Sequence, residues 1–206
     1  MSEVYPLFSK PVYVNKLSFD SKKFLSLIED EFVESGGEKL LNQEHVSKAS
    51  VNKNVLDQIK FKTLKNLLMV ESKKYYKDVL KYKNDFKITT SWFTKTLKDE
   101  SSNYHKHSNA LISGVLYLNV PKNSGDINFQ IYNDETFHLD CTEYNIYNST
   151  NFTFETFNNL LIMFPSNLYH KILKSESTEP RISLAFNMMP YGHISSKNGD
   201  SYFYIK

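Results

Sequence analysis

The apolar positions of this chain change their rhythm once, near Lys87. Before that point they recur at helical spacing. In "DSKKFLSLIEDEFVES", Phe24, Leu25, Leu27, Ile28 and Phe32 share a stripe, Asp20 or Ser21 can cap its start, and Gly36-Gly37 can end it. After a polar, loop-like stretch from about Glu38 to Asn54, a longer stripe runs through Leu56, Ile59, Leu64, Leu67, Leu68, Val70, Tyr75, Val79 and Leu80. Its opposite face is rich in lysine and reads as a solvated helix surface. Ahead of both helices, Leu7 to Phe19 reads as a short extended strand.

Beyond Lys87 the apolar residues fall into short β-branched and aromatic runs: "KITTSWFTKTL", "LISGVLYLNV", "DINFQIY", "FTFETF", "NLLIMFPS", "YHKIL", "RISLAFNMM" and "SYFYIK". Turn signals such as "PKNSGD", "YNDE", "FPSN" and "STEPR" separate them. Many short strands punctuated this way predict an antiparallel sandwich or barrel. The expectation is an α+β, mostly β chain forming one domain over 1–206. Within it, 1–86 is mainly helical, 87–206 forms a two-sheet β-core, and the helices pack on one sheet.

Composition narrows the partners. The chain has 206 residues, enough for a real core, and its 15% aromatic content suits a β-rich interior. A net charge of +2 gives no field for a polyanion, although it does not exclude nucleic acid as a substrate. With Cys141 as the sole cysteine, no disulfide can form within the chain, which points to a reducing cytoplasm. No apolar run reaches signal-peptide or membrane-helix length, so no membrane partner is expected. The excess of Lys, Asn, Ile, Tyr and Phe hints at an AT-rich phage or bacterial genome.

The chemistry concentrates in "NYHKH" and in two later segments. In an extended chain alternate residues share a face, so His105 and His107 point the same way, and if the parity persists so do Tyr117 and Asn119. "NLYHKIL" places His170 on another strand-like segment. "RISLAFN" turns Arg181, Ser183 and Asn187 to one face, with Ile182, Leu184 and Phe186 on the other. Arg181 is the chain's sole arginine, and an arginine within an apolar strand needs an anion to pair with. Imidazoles suit a divalent iron site with open positions, and a guanidinium fork suits a carboxylate.

In order, "HKH", "GVLYLNVPKNSGDINF", "LIMFPSNLYHKIL" and "RISLAFN" resemble the non-haem Fe(II), 2-oxoglutarate-dependent oxygenases, most of all their small bacterial and phage prolyl-hydroxylase-like branch. The resemblance covers Trp92 to Met189, roughly half the chain. It implies a double-stranded β-helix, a jelly-roll or cupin-like core, whose intervening strands fit the roughly 60 residues between the histidine pair and His170. It further implies His105 and His170 as iron ligands, with Arg181 holding the far carboxylate of 2-oxoglutarate, helped by Ser183 and Tyr117. Asn119 then lines the cosubstrate pocket, and Trp92 is a candidate for the substrate pocket.

One position departs from that pattern. His107 stands where the family usually carries Asp or Glu. Three readings compete: His107 ligates the metal itself, a carboxylate such as Asp126 or Asp134 swings in, or the site has degraded. A literal His-x-Asp also occurs at His138 and Asp140, but too few residues separate it from His170 for the required strands, so both read as loop or edge residues. His45 and His193 read as solvent-facing, and Cys141 lacks a partner that would mark it as a nucleophile. The function implied is a dioxygenase, in particular a hydroxylase. It uses Fe(II), 2-oxoglutarate and O2 to oxidise a peptide, nucleotide or small metabolite, with homodimerisation left open. A non-catalytic binding module and a three-histidine cupin-type dioxygenase independent of 2-oxoglutarate are the alternatives.

Overall fold

The computed structural model describes residues 3–6, 8–32, 47–131 and 139–206. Among the described residues ten strands run in chain order: β1 (Tyr13–Lys16), β2 (Lys48–Ala49), β3 (Asp85–Thr96), β4 (Ile112–Asn119), β5 (Ile127–Gln130), β6 (Asn151–Phe154), β7 (Leu160–Pro165), β8 (Tyr169–Ile172), β9 (Arg181–Ile194) and β10 (Phe203–Ile205). They form two antiparallel sheets. The larger has the order β1-β7-β4-β9-β3-β2, with β10 added to the far end of β9, and the smaller has the order β6-β5-β8.

The connections alternate between the sheets. The chain crosses from β4 to β5, from β6 to β7 and from β8 to β9. After β3 it crosses to a segment that meets β8 at one bridge, His105 to His170. Four neighbouring strands of the larger sheet, β7-β4-β9-β3, therefore face four neighbouring segments of the smaller, β6-β5-β8 and the stretch around His105. This is a double-stranded β-helix with one wall reduced to a single bridge.

Two cores follow from the period-two alternation. On β7, Leu160, Ile162 and Phe164 point between the sheets, while Leu161 and Met163 point to the helices. On β4, Val115 and Tyr117 point inward, while Ile112, Leu116 and Leu118 face the helices. On β9, Ile182, Leu184, Phe186 and Met188 all join the helical side. That leaves the opposite face of β9 free for Arg181, Ser183 and Asn187. Strands buried on both faces read as continuous apolar runs, which is why "LLIMFP" shows no alternation in hydropathy.

The helices cover the larger sheet. Helix α1 (Lys22–Ile28) starts where Asp20 Oδ1 accepts from the Lys22 amide at 3.1 Å, and continues as a 3-10 turn to Phe32. Gly36 and Gly37, the expected stop, lie outside the described residues. The long amphipathic helix is broken into pieces. Two 3-10 turns (Val55–Asp57 and Ile59–Phe61) precede α2 (Lys62–Lys73), and a π-helical turn (Lys74–Val79) follows it. Gln58 is extended at ψ 139°. The Leu56 amide is tied instead to Ser91 Oγ of β3 at 3.0 Å, so sheet contacts override helix propagation there. The breaks rotate the stripe: Ile59, Val70 and Val79 are exposed, while the wide π turn buries both Tyr75 and Tyr76. A buried carboxylate, Glu71, then clamps α2 to β1 by accepting from Tyr13 Oη (3.0 Å) and Asn15 Nδ2 (2.9 Å).

On its helix side the larger sheet is closely packed at Gly114. A Cβ there would lie 2.3 Å from Phe186 Cζ, so the ring of the neighbouring strand rests directly on the glycine. Gly114→Ala is expected to destabilise the fold by about 1–3 kcal/mol, as overpacking does. Phe186→Leu in the same chain should recover part of that loss, as read by denaturant unfolding of the single and double variants.

Candidate metal centre

The segment Asn103–His107 forms no regular strand. Its amides are nevertheless fixed at alternate residues: His105 and His170 exchange both backbone hydrogen bonds (3.0 and 2.9 Å), and the His107 amide donates to the Ser166 carbonyl at 2.9 Å. Alternate residues so anchored share a face. The rings of His105 and His107 stack at 5.4 Å, and both meet His170, at 4.3 and 5.1 Å between centroids. The ligating atoms of the three side chains all lie within 4.8 Å of one another, the one such cluster among the described residues.

Each ring is oriented by its Nδ1. His105 Nδ1 lies 2.8 Å from the Asn103 carbonyl, and His170 Nδ1 lies 3.0 Å from the Leu168 carbonyl. His107 Nδ1 lies 2.6 Å from Asn187 Oδ1 and 3.0 Å from Ser113 Oγ. A carbonyl oxygen can only accept, so Nδ1 carries the proton in each ring. That leaves three Nε2 lone pairs for the face the rings share. Burial holds the pKa of His107 down, against the opposing pull of the Asn187 hydrogen bond. Burial, then the neighbouring His105, pushes His170 down to about 3. Three imidazoles that each turn Nε2 to one shared face suit a divalent cation.

The walls are aromatic and graded in exposure. His170 is buried between Phe164 and Phe129 (4.7 and 5.9 Å), His107 is half-buried beside Trp92 of β3 (5.6 Å), and His105 faces solvent. Two of the carboxylates considered from the sequence, Asp126 and Asp140, lie elsewhere. Asp126 Oδ1 accepts from the Thr156 amide (2.8 Å) and hydroxyl (3.2 Å), and Asp126 is not part of the histidine cluster. Asp140 is exposed on a loop, and His193 is exposed and bonded to Tyr202. Asp134, His138 and His45 lie outside the described residues.

Further along the same inter-sheet face, Arg181 is fully buried. Its Nη1 donates to the Gly125 carbonyl (2.6 Å) and its Nη2 to Thr96 Oγ1 (2.9 Å). Gly125 supplies that carbonyl from a left-handed conformation (φ 86°), in a turn so close to β8 that a Cβ would lie 2.2 Å from the Leu173 carbonyl oxygen. Arg181 Nε has no partner, and neither does the hydroxyl of the equally buried Tyr117, whose ring lies 5.7 Å from the guanidinium. Burial pushes the Tyr117 phenol up to about 12. No carboxylate among the described residues forms an ion pair with Arg181. Two orphaned donors beside an unneutralised guanidinium form a pocket for an anion. Ser183 follows Arg181 on this face. Asn119 has a structural task, donating to the Pro180 carbonyl (2.9 Å) just before Arg181.

Sequence reasoning passed over Ser113, Ser166 and Thr96. Parity could have flagged Ser113, since it lies on the same face of β4 as Val115 and Tyr117. The hydroxyls of Ser113 and Ser166 meet at 2.8 Å beneath His107.

Residues 90–187, just under half of the chain, match the protein family described as "Putative 2OG-Fe(II) oxygenase". Among curated proteins none matches the sequence. Among solved structures, a Pseudomonas putida prolyl-4-hydroxylase superposes with a TM-score of 0.59 at 14% identity, covering 88% of this chain and 94% of that one. HygX from Streptomyces hygroscopicus, with nickel and 2-oxoglutarate bound, gives 0.56 at 12% identity over 88% and 83%. The α-ketoglutarate-dependent carbocyclase SnoK of nogalamycin biosynthesis gives 0.66 at 9% over 95% and 83%. At these identities the likeness is one of fold.

The depressed His170 pKa sets a pH dependence for the metal-free protein. An unfolded histidine titrates near 6.5, so between about 6.5 and about 3 the unfolded chain binds the extra proton and the folded chain does not. Stability should therefore fall as pH falls through that window and level off above it. Chelator-treated protein melted from pH 7 to pH 4 should show this slope, and His170→Leu should flatten it.

Proposed function

Because residues 90–187 carry a 2OG-Fe(II) oxygenase domain, whose metal is Fe(II) and whose cosubstrate is 2-oxoglutarate, we propose that His105, His107 and His170 hold the metal and that the chain hydroxylates a C–H bond of an organic substrate. The observation that carries this reading is the pairing of two sites on one inter-sheet face. Three histidines present Nε2, and beyond them lie the orphaned donors of Arg181 and Tyr117. A dicarboxylate spans such a pair, with one end for the metal and the other for the guanidinium. The fit is chemical as well as spatial: the buried Arg181 charge and the Tyr117 hydroxyl each need an acceptor, and a carboxylate supplies acceptors for both.

The bound iron, with 2-oxoglutarate and O2, supplies an oxidant for the C–H bond, and succinate and CO2 are the co-products. The protein's own residues bind, orient and shield. His105, His107 and His170 would hold the metal and leave positions open for the cosubstrate and O2. Arg181, steered by Gly125 and Thr96, fixes the far carboxylate, and Ser183 adds a hydroxyl on the same face. Phe129 and Phe164 keep water from His170. Trp92 walls the half-open side next to His107, where the substrate would approach. No helix among the described residues is long and apolar enough to cross a membrane. We place the chain in the cytoplasm, where a single unpaired cysteine is stable. A dioxygenase that uses no 2-oxoglutarate would leave the Arg181 and Tyr117 donors without a task.

Purified protein supplied with Fe(II), ascorbate, O2 and 2-oxoglutarate should release succinate, assayed by mass spectrometry. His170→Ala and Arg181→Ala should each lower that release at least 100-fold, and unchanged release in both would sink the assignment. Tyr117→Phe separates binding from folding. Removing an orphaned buried hydroxyl should leave stability equal or higher by about 1 kcal/mol, while raising the 2-oxoglutarate concentration needed for half-maximal turnover several-fold.

A further inference from the structure

Among the described residues, the groups at the proposed metal and cosubstrate sites are imidazoles, hydroxyls and a guanidinium. The metal side offers three imidazoles. The anion side offers a buried guanidinium with no ion-paired carboxylate among the described residues, together with neutral hydroxyls. The charge of Asp126 reaches Arg181, but its Oδ1 is already occupied by Thr156. A divalent metal on the histidines and the guanidinium of Arg181 would thus bring three positive charges into one largely buried space with no protein carboxylate among them. Such a charge set is costly in a medium of low dielectric. A dicarboxylate brings two compensating charges to the same space.

Asn187 fixes the tautomer of the third ligand. Its amide is locked at both ends: Nδ2 donates to Thr90 Oγ1 (3.0 Å), which turns Oδ1 toward His107 Nδ1 (2.6 Å). Ser113 Oγ donates to the same Oδ1 at 2.8 Å and bridges on to Ser166. Flipping the amide would set an NH2 group against an N–H and lose all of these bonds. The imidazole is therefore held with its proton on Nδ1 and a lone pair on Nε2, by an acceptor that carries no charge.

We propose that this site takes up its divalent metal and its dicarboxylate as one strongly coupled unit, and that Asn187 is its positioning residue, an uncharged acceptor that holds the proton of His107 on Nδ1 and turns Nε2 to the metal side. The inference rests on the functional reading above and adds a thermodynamic property to it. Each ligand raises the affinity of the other by the same factor, as linkage requires. A carboxylate at position 107 would neutralise part of the charge in advance and weaken that coupling. Without cosubstrate, the histidines hold metal loosely, so an iron centre able to react with O2 forms only where its dicarboxylate is at hand.

The test is a titration with Mn(II), followed through the electron paramagnetic resonance signal of the free ion, with and without saturating 2-oxoglutarate. In the wild-type protein 2-oxoglutarate should tighten Mn(II) binding at least 100-fold. His107→Asp should bind Mn(II) more tightly alone, and its gain from 2-oxoglutarate should be at least tenfold smaller. Asn187→Asp keeps the hydrogen bond to Nδ1 but adds a charge, so it should fold normally and also show a smaller gain. A merely structural role for Asn187 would leave that ratio unmoved. Asn187→Ala should weaken Mn(II) binding about 10–100-fold, as loss of an outer-shell partner does. A wild-type gain below tenfold, or the same gain in wild type, His107→Asp and Asn187→Asp, overturns the proposal while leaving the metal assignment standing. No Mn(II) binding under either condition overturns the assignment and the proposal together.

Discussion

Two backbone hydrogen bonds, exchanged between His105 and His170, hold the site together. They form the bridge by which the stretch after β3 joins the smaller sheet, extended by the Ser102 amide, which donates to the Ile172 carbonyl at 3.1 Å. Around them the rest falls into place. His170 sits opposite Phe129 in the ladder of β8 with β5, so the bridge sets His105, His170 and Phe129 in one cross-strand row, with His105 at its solvent end. The His107 amide, two residues on, docks on the Ser166 carbonyl in the turn between β7 and β8. On the opposite sheet β3 is long and paired with β9 from Asp85 to Thr96, apart from a register shift between Ile88 and Thr90. The rigid sheet carries the Arg181 end of the site, and the short one carries the metal end.

The strands were readable from the chain because their apolar runs are short and bounded by turn residues. The double-stranded β-helix came from the order of motifs rather than from any one of them. The helical region was less readable. A single stripe from Leu56 to Leu80 carries no mark of the extended Gln58 or of the bond from the Leu56 amide to Ser91, since those breaks are imposed by β3. Ile59, Val70 and Val79 look like core residues in a helical wheel and lie exposed once the helix is interrupted. Tertiary contacts overrode local periodicity, as they commonly do for short amphipathic segments.

For the site, alternation went far. It aimed Arg181, Ser183 and Asn187 at one face before any coordinates, and a lone arginine in an apolar strand asked for an anion. What alternation could not show is which polar groups remain unpaired. Thr96 and the Gly125 carbonyl account for two donors of Arg181, and only the folded structure shows that Nε and Tyr117 Oη have none. Nor could spacing show that Asn119 spends its amide on Pro180, or Asp126 its Oδ1 on Thr156. A carboxylate at a plausible distance along the chain says nothing about what already occupies its oxygens.

The histidine in place of a carboxylate then has a physical setting. Asp or Glu at position 107 would lie above the Asn187 amide oxygen and the Ser113 hydroxyl, where two oxygens would face an acceptor with a single hydroxyl proton to share. An imidazole brings the missing N–H and leaves a lone pair for the metal side. The acceptor cluster beneath it and the histidine above it are thus complementary: the neutral ligand satisfies Asn187, and Asn187 orients the ligand. Neutrality at one end and an uncompensated guanidinium at the other leave the balance of charge to whatever anion spans them.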